Sequence, residues 1–172
     1  MPDDTMIRID RLGPADLPAA LRIQSAAYPP FLLEDDRAFL SRIDLSVSLC
    51  LAARRGGELL GYLLAHGWPH GSPAAVGTVL ANDQPSEVLF IHDLAMASSG
   101  RGAGIGRSLV MRAFALAAED GLRRAELIAV EGAAEYWRRL GFVEEAVAGE
   151  LQAKLHAYGK LARWMTREIP AS

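Results

Sequence analysis

The sequence predicts a mixed α/β (α+β) fold, and three observations carry that reading. Apolar runs of strand length alternate with stretches at helical spacing. Two such runs flank the turn Arg54-Arg55-Gly56-Gly57, as in a hairpin. A third run, Val88–Met96, passes through a glycine-rich segment directly into a helix. The chain has 172 residues, and at about 150 residues per domain one domain is expected over 1–172.

Taken in order, 6–9 alternates as an opening strand. Gly13-Pro14-Ala15-Asp16 then supplies turn and cap chemistry for a helix carrying Leu17, Leu21 and Ile23. Tyr28-Pro29-Pro30 ends that helix, because proline lacks the N–H and disfavours helical geometry in the residue before it. A second helix is expected over about 34–43, and hairpin strands over 47–53 and 58–65. The stretch 67–85, rich in Gly, Pro, Ser and Asn, reads as a long loop near a binding site. After the strand VLFIHDLAM comes a helix ending near Gly121, a strand over 125–130, a helix over about 133–140, and closing strands over 142–148 and 162–169. No internal repeat or low-complexity segment is visible.

Composition narrows the function classes. With 51% hydrophobic and 23% charged residues, and only 16 Gly and 9 Pro, the chain is neither disordered nor collagen-like. A net charge of −3 gives no global field for nucleic acid or an anionic membrane, so any phosphate binding is local. The single cysteine, Cys50, has no disulfide or metal-cluster partner, which fits a reducing, cytoplasmic setting. No apolar run approaches the ~20 residues of a membrane span, and the acidic start MPDDTMIRID lacks a signal-peptide layout.

The segment Arg101-Gly102-Ala103-Gly104-Ile105-Gly106 lies between a strand and a helix, where unpaired amides and the positive helix end create a site for phosphate oxygens. It is not a dinucleotide fingerprint, because the third glycine of G-x-G-x-x-G falls on Arg107. Nor is it a Walker A loop, which would put glycine at Arg101 and lysine at Arg107. Arg101 and Arg107 oppose the dipole at the start of the helix, as Glu119 and Asp120 do at its end, each at about 0.3–1 kcal/mol when exposed. A bound polyanion reverses the sign for the arginines; solvated surface charge is the plain alternative. Ser108 either donates to a phosphate or caps locally.

Arg101-x-x-Gly104-x-Gly106, preceded by Leu94-Ala95-Met96 on a strand and followed by a helix, resembles the acetyl-CoA motif of the GNAT superfamily of N-acetyltransferases. The element order resembles that fold from near Met6 to Ile169, and Trp137-Arg138-Arg139-Leu140-Gly141-Phe142 is similar to the family's aromatic-x-x-x-G-F ending. The resemblance implies a central, mostly antiparallel twisted sheet of about seven strands with flanking helices, in which the fourth and fifth strands splay to admit pantetheine. It implies acetyl-CoA as cosubstrate, with the backbone of Leu94 and Met96 pairing with the acetyl carbonyl and pantetheine. The amides of Gly102, Ala103, Gly104, Ile105 and Gly106 would hold the diphosphate. Ala95, Arg101, Arg107, Ser108 and Trp137 join this cofactor-binding set, and glycine is needed where a Cβ would block phosphate approach.

Acetyl transfer to an amine requires a base, because an amine near pKa 10.4 is mostly protonated at neutral pH. His92, two residues before Leu94, is the candidate catalytic base, since some amine-acetylating members carry histidine there. The alternative is a histidine satisfied by backbone in a buried strand. Strand alternation turns Asp93 to the opposite face, as a structural carboxylate capping a neighbouring loop or helix, with a direct role in the chemistry as the alternative. The family's usual acid, a tyrosine four residues before the glycine of G-F, is replaced by Trp137, whose indole N–H is no acid at neutral pH. Tyr136 is the catalytic candidate in its place, although one helical step rotates it by about 100° and turns it elsewhere unless the helix start is distorted. Tyr158, or departure of the thiolate without a donor, are the other routes. A second departure is Glu131-Gly132, where many relatives carry asparagine after the fifth strand.

His66 and His70 are kept off a common helical face by Gly67 and Pro69, so no metal site is expected, and Trp68-Pro69-His70 reads as a loop narrowing the acceptor cleft. Tyr28, Phe31, Glu34, Asp35 and Asp36 either shape a cationic-amine site or cap a helix. The expected activity is acetyl-CoA-dependent N-acetyl transfer to a primary amine of a small molecule or peptide, by direct attack in a ternary complex. Cys50, on the second strand, lies away from the expected thioester. A CoA-binding regulatory or interaction module without turnover is the alternative, and a tight glycine turn in an unrelated α/β protein is a third reading. A homodimer through the closing strands is compatible with the resemblance.

Overall fold

Helix starts follow their capping chemistry. Asp35 caps the second helix by accepting from the Ala38 amide at 2.8 Å, while Asp16 closes the turn before the first helix by accepting from the Gly13 amide at 2.8 Å. The computed structural model describes residues 5–171, so the first four residues of the acidic N-terminal stretch lie outside the described part. In chain order the elements are β1 (Ile7–Arg11), α1 (Leu17–Ala27), α2 (Asp36–Ile43), β2 (Leu51–Arg55), β3 (Glu58–Trp68), β4 (Val88–Met96), α3 (Ile105–Glu119), β5 (Arg124–Ala129), α4 (Ala134–Arg139), β6 (Val143–Glu144), α5 (Gly149–Ala157) and β7 (Arg163–Glu168).

The strands form one seven-stranded sheet in the order β1-β2-β3-β4-β5-β7-β6. Every neighbouring pair is antiparallel except β4 and β5. This is the mostly antiparallel sheet with flanking helices that the sequence predicts. One face packs on α3 and α4, with Leu63, Leu89, Ile91, Leu109, Ala113 and Trp137 in its core. The other packs on α1 and α2 through Ala20, Ile23, Phe39, Tyr62, Leu64 and Ala95. Because both faces are covered, β3 and β4 read as almost unbroken apolar runs. Among the described residues no helix is long and apolar enough to cross a membrane.

After β4 the chain turns back against β3. Ala97 N–H donates to Leu60 O at 2.8 Å and Gly100 N–H to Ala97 O at 2.9 Å. A Cβ on Gly100 would stand 2.6 Å from Leu60 O, so the close approach that aims the chain toward α3 requires glycine there.

Three expectations need correction. The second strand begins at Leu51 rather than 47; upstream, only Ser48 forms an isolated bridge, to His66. The closing strand over 142–148 shrinks to β6, Val143–Glu144, at the sheet edge. The following residues form α5, which the sequence reading lacks because the helix has no fully buried residue and so no clear apolar stripe.

Candidate active site

One extra residue in β4 creates the site. The β3–β4 register pairs Leu64 with Asp93 and then Ala65 with Ile91, leaving His92 as a bulge with no partner. Before it, Leu89 and Ile91 face α3, and after it Leu94 and Met96 do so again. His92 and Asp93 therefore both fall on the α1/α2 side, where Ala95 also packs. The alternation that turned Asp93 to the opposite face fails here, and Asp93 caps no loop or helix; its Oδ2 accepts the Tyr62 hydroxyl instead.

The bulge also bends β4 away from β5. Their parallel pairing covers only Leu89–Ala125, Phe90–Glu126 and Ile91–Leu127. Beyond Ile91 the strands separate around a cavity of about 260 Å³ bordered by Tyr28, Glu34, His92, Asp93, Val130 and Tyr158 among others. The splayed pair is thus present between the fourth and fifth strands.

Glu34 organises one wall. Its backbone is clasped by Gln24, whose Nε2 donates to Glu34 O at 3.1 Å and whose Oε1 accepts Glu34 N–H at 2.9 Å. Its carboxylate meets His92 Nε2 at 2.7 Å, Arg42 Nη2 at 3.4 Å and the Gly77 amide at 2.6 Å. Arg42 is fully buried and also donates to Ala38 O at 2.6 Å and Thr78 O at 2.7 Å. Burial pushes the Glu34 carboxyl up, but His92, Arg42 and the Gly77 amide outweigh it and hold it below the ordinary value, so it is ionised. An ionised carboxylate only accepts, so His92 carries its proton on Nε2 and presents a lone pair at Nδ1. Burial, then the charge of Arg42, holds His92 below its ordinary pKa against the opposing pull of Glu34 and Asp93.

Two tyrosines complete the wall. Tyr28 donates its hydroxyl proton to Leu94 O at 2.9 Å, and Tyr158 donates to Ala74 O at 2.5 Å. Together with Glu34 and Gly77, the Tyr158 bond holds the loop after β3 over the cavity, and Val76 of that loop lines it. The expectation that Trp68-Pro69-His70 narrows the cleft is not met. Trp68 Nε1 donates to Ser72 O at 2.8 Å, and His70 Nδ1 pairs with the buried Glu126 at 2.5 Å, both off the cavity. His66 is buried beside Gly67 O at 3.1 Å, and burial drives its pKa down to about 3. Of the acidic cluster, Asp35 is a helix cap, Glu34 enters the cavity and Phe31 stays exposed.

At the start of α3, Gly104 is the N-cap with φ of 70° and Gly102 has φ of 83°, both left-handed and both suited to glycine. Among the described residues, the amides of Gly102, Ala103, Gly104, Ile105, Gly106 and Arg107 meet no protein acceptor. Arg101 and Arg107 are exposed. Ser108 donates its hydroxyl to Gly104 O at 3.1 Å, which is the local role.

Tyr136 reaches this helix start from the far side. A Cβ on Gly106 would come within 2.3 Å of its hydroxyl oxygen, so the phenol lies directly over the glycine. The expectation that one helical step turns Tyr136 elsewhere is corrected. Glu131 and Gly132, at φ of 49° and 82°, swing the chain sharply into the six-residue α4, and both Tyr136 and Trp137 border the cavity. Trp137 is otherwise a core residue, with rings of Tyr136 and Phe142 each 5.4 Å away. Sequence reasoning missed Arg42 and Gln24 entirely. Arg42 shares the buried face of α2 with Ala38 and Phe39, and a cation on an apolar helix face is the signal that marks it.

A profile described as the acetyltransferase (GNAT) family matches residues 17–142, and the chain belongs to that family. Over 85 residues it is 38% identical to an uncharacterized N-acetyltransferase of Methanocaldococcus jannaschii, covering 48% of this chain and 38% of that protein. The chain thus spans under two fifths of the length of that relative. Among solved structures, Ard1 from Thermoplasma volcanium superposes with a TM-score of 0.71 at 14% identity, covering 95% of this chain and 98% of that one. The ribosomal-protein-S18-alanine N-acetyltransferase from Escherichia coli gives 0.69 at 18%, covering 97% and 96%. Arabidopsis thaliana Naa50 in complex with the bisubstrate analogue CoA-Ac-MVNAL gives 0.67 at 12%, covering 94% and 97%. At these identities the structures speak for the fold.

The buried charges make a stability prediction. Glu34→Ala leaves Arg42 uncompensated and lowers unfolding free energy by about 3–5 kcal/mol in urea titration, and adding Arg42→Met recovers most of the loss. A single-variant loss under about 1 kcal/mol contradicts this account of the network.

Proposed function

We propose that this protein is an acetyl-CoA-dependent N-acetyltransferase that passes acetyl to a primary amine of a small molecule or peptide by direct attack in a ternary complex. The observation that carries the reading is the run of acceptor-less amides from Gly102 to Arg107, set beside a cleft that opens where β4 leaves β5. Six consecutive donors at a positive helix end suit a diphosphate, and the left-handed glycines leave room for its approach. Leu94 and Met96 face α3 beyond the last residue of β4 that pairs with β5, and apart from Leu94 O, which accepts the Tyr28 hydroxyl, the main-chain groups on that unpaired edge suit a pantetheine arm.

Acetyl-CoA supplies a thioester whose acetyl carbon is open to attack. The chain's own groups manage the protons. His92 Nδ1, a neutral lone pair facing the cavity, takes the proton that an amine must lose before attack. Tyr136, whose phenol burial pushes up against the opposing charge of Arg107, is protonated at neutral pH and supplies the proton for the departing sulfur. Tyr158 is less suited, because its proton is engaged by Ala74 O. A thiol of pKa about 8.5 leaves readily, so this donor has a modest task. Cys50 is buried and its thiol is pushed up to about 11 by burial, which supports attack without an acyl-enzyme. Trp137 motivates the rival reading of a CoA-binding module without turnover; Tyr136 at Gly106 favours the enzyme.

An acceptor screen that follows free-thiol release tests the reading. Release that depends on both acetyl-CoA and an amine is expected, whereas binding of CoA without amine-dependent release identifies the non-catalytic module. The pH dependence tests His92, whose charged and titratable neighbours are Glu34, Arg42, Asp93 and His66. Its folded pKa lies below 6.5, so activity is full at neutral pH and falls on acidification below that value. His92→Ala lowers kcat/KM by about 10²-fold or more and flattens that acid limb; an unchanged profile removes His92 from the role.

A further inference from the structure

We propose that Asp93 receives the acceptor: its carboxylate docks a primary ammonium and selects amines on apolar stems that carry no carboxylate beside the nitrogen. The inference rests on the acetyl-transfer reading and names the acceptor class for that same cavity.

Asp93 borders the cavity and is only 9% exposed. Its Oδ2 is taken up by the Tyr62 hydroxyl, but Oδ1 is buried and meets no hydrogen-bond partner. The one other such side-chain atom among the described residues is Arg42 Nε, on a guanidinium otherwise held by four groups and away from the cavity lining. Buried carboxylate oxygens are rarely left without a donor, so an unpaired one on a residue that borders a cavity points to a donor that arrives from outside. The neighbouring hydroxyl, Tyr28, has given its single proton to Leu94 O.

Charge in the cavity agrees. Glu34 is paired with Arg42, whereas burial pushes the Asp93 carboxyl up, and an ammonium arriving beside it favours the charged form. No Lys or Arg is among the residues bordering the cavity, while Glu131 adds a further carboxylate. An ammonium is welcomed and a carboxylate beside it repelled. The remaining surface, with Leu32, Val76, Phe90, Ile128 and Val130, suits an apolar stem. Docking at Asp93 also holds the nitrogen next to His92, the adjacent residue, which takes its proton.

Calorimetry on the full chain in the presence of CoA tests the proposal with n-butylammonium, 1-butanol, norvaline and norvalinamide. The ammonium is expected to bind at least about tenfold tighter than the alcohol, and norvalinamide at least about tenfold tighter than norvaline. Asp93→Asn, which keeps the shape, is expected to bring ammonium and alcohol within about twofold, while Tyr62→Phe, which leaves the carboxylate in place, keeps the preference. Equal binding of ammonium and alcohol by the native chain overturns the proposal. So does a preference that survives Asp93→Asn, or one lost equally in Tyr62→Phe, which assigns it to packing. Amine-dependent thiol release, measured in parallel, separates the two readings: selective ammonium binding without release sinks acetyl transfer and leaves the ammonium site standing.

Discussion

A single unpaired residue in a buried strand sets the terms for the rest of this molecule. With His92 in register, β4 would continue beside β5 and Asp93 would turn into the apolar layer under α3, where a carboxylate is costly. The bulge removes both problems at once. It moves two consecutive polar side chains to the α1/α2 face and parts the strands, so the opening in the sheet and the chemistry that lines it have one backbone origin.

The charges around that opening are coupled to the fold. Glu34 is clasped by Gln24, bonded to His92, paired with Arg42 and bonded to the Gly77 amide, so one carboxylate ties α1, α2, β4 and the loop after β3 together. The same loop is fastened at Ala74 by Tyr158 and at His70 and Gly71 by Glu126, itself fully buried on β5. The proton on His92 Nε2 follows from this arrangement, because the partner can only accept. The free lone pair at Nδ1 is thus a consequence of how the wall is held.

Most of the architecture was legible because it rests on local signals. Asp35 marks the start of α2, the apolar run of β4 requires two covered faces, and Gly102 and Gly104 stand where the chain needs left-handed geometry. What escaped depends on non-local facts. A bulge leaves no mark in a strand's composition, so alternation misplaced Asp93. Helix α5 has no buried face, and β6 pairs for only two residues, so periodicity has nothing to detect in either. Tyr136 was expected to face away, but Glu131 and Gly132 re-aim the short α4. Glu34 reads equally well as helix-cap chemistry until Arg42, eight residues on, is seen beside it.

The central claim is that the start of α3 grips a diphosphate and so lays the thioester arm along the open side of β4. Amide resonances of the ¹⁵N-labelled chain, followed during titration with CoA and separately with pantetheine, test this most directly. The account predicts that CoA moves the amides of Gly102, Ala103, Gly104, Ile105, Gly106 and Arg107 along with those of Leu94 and Met96, while pantetheine, which lacks the diphosphate, leaves the glycine segment where it was. Shifts confined to another face of the protein, or a glycine segment that responds alike to both compounds, would contradict it.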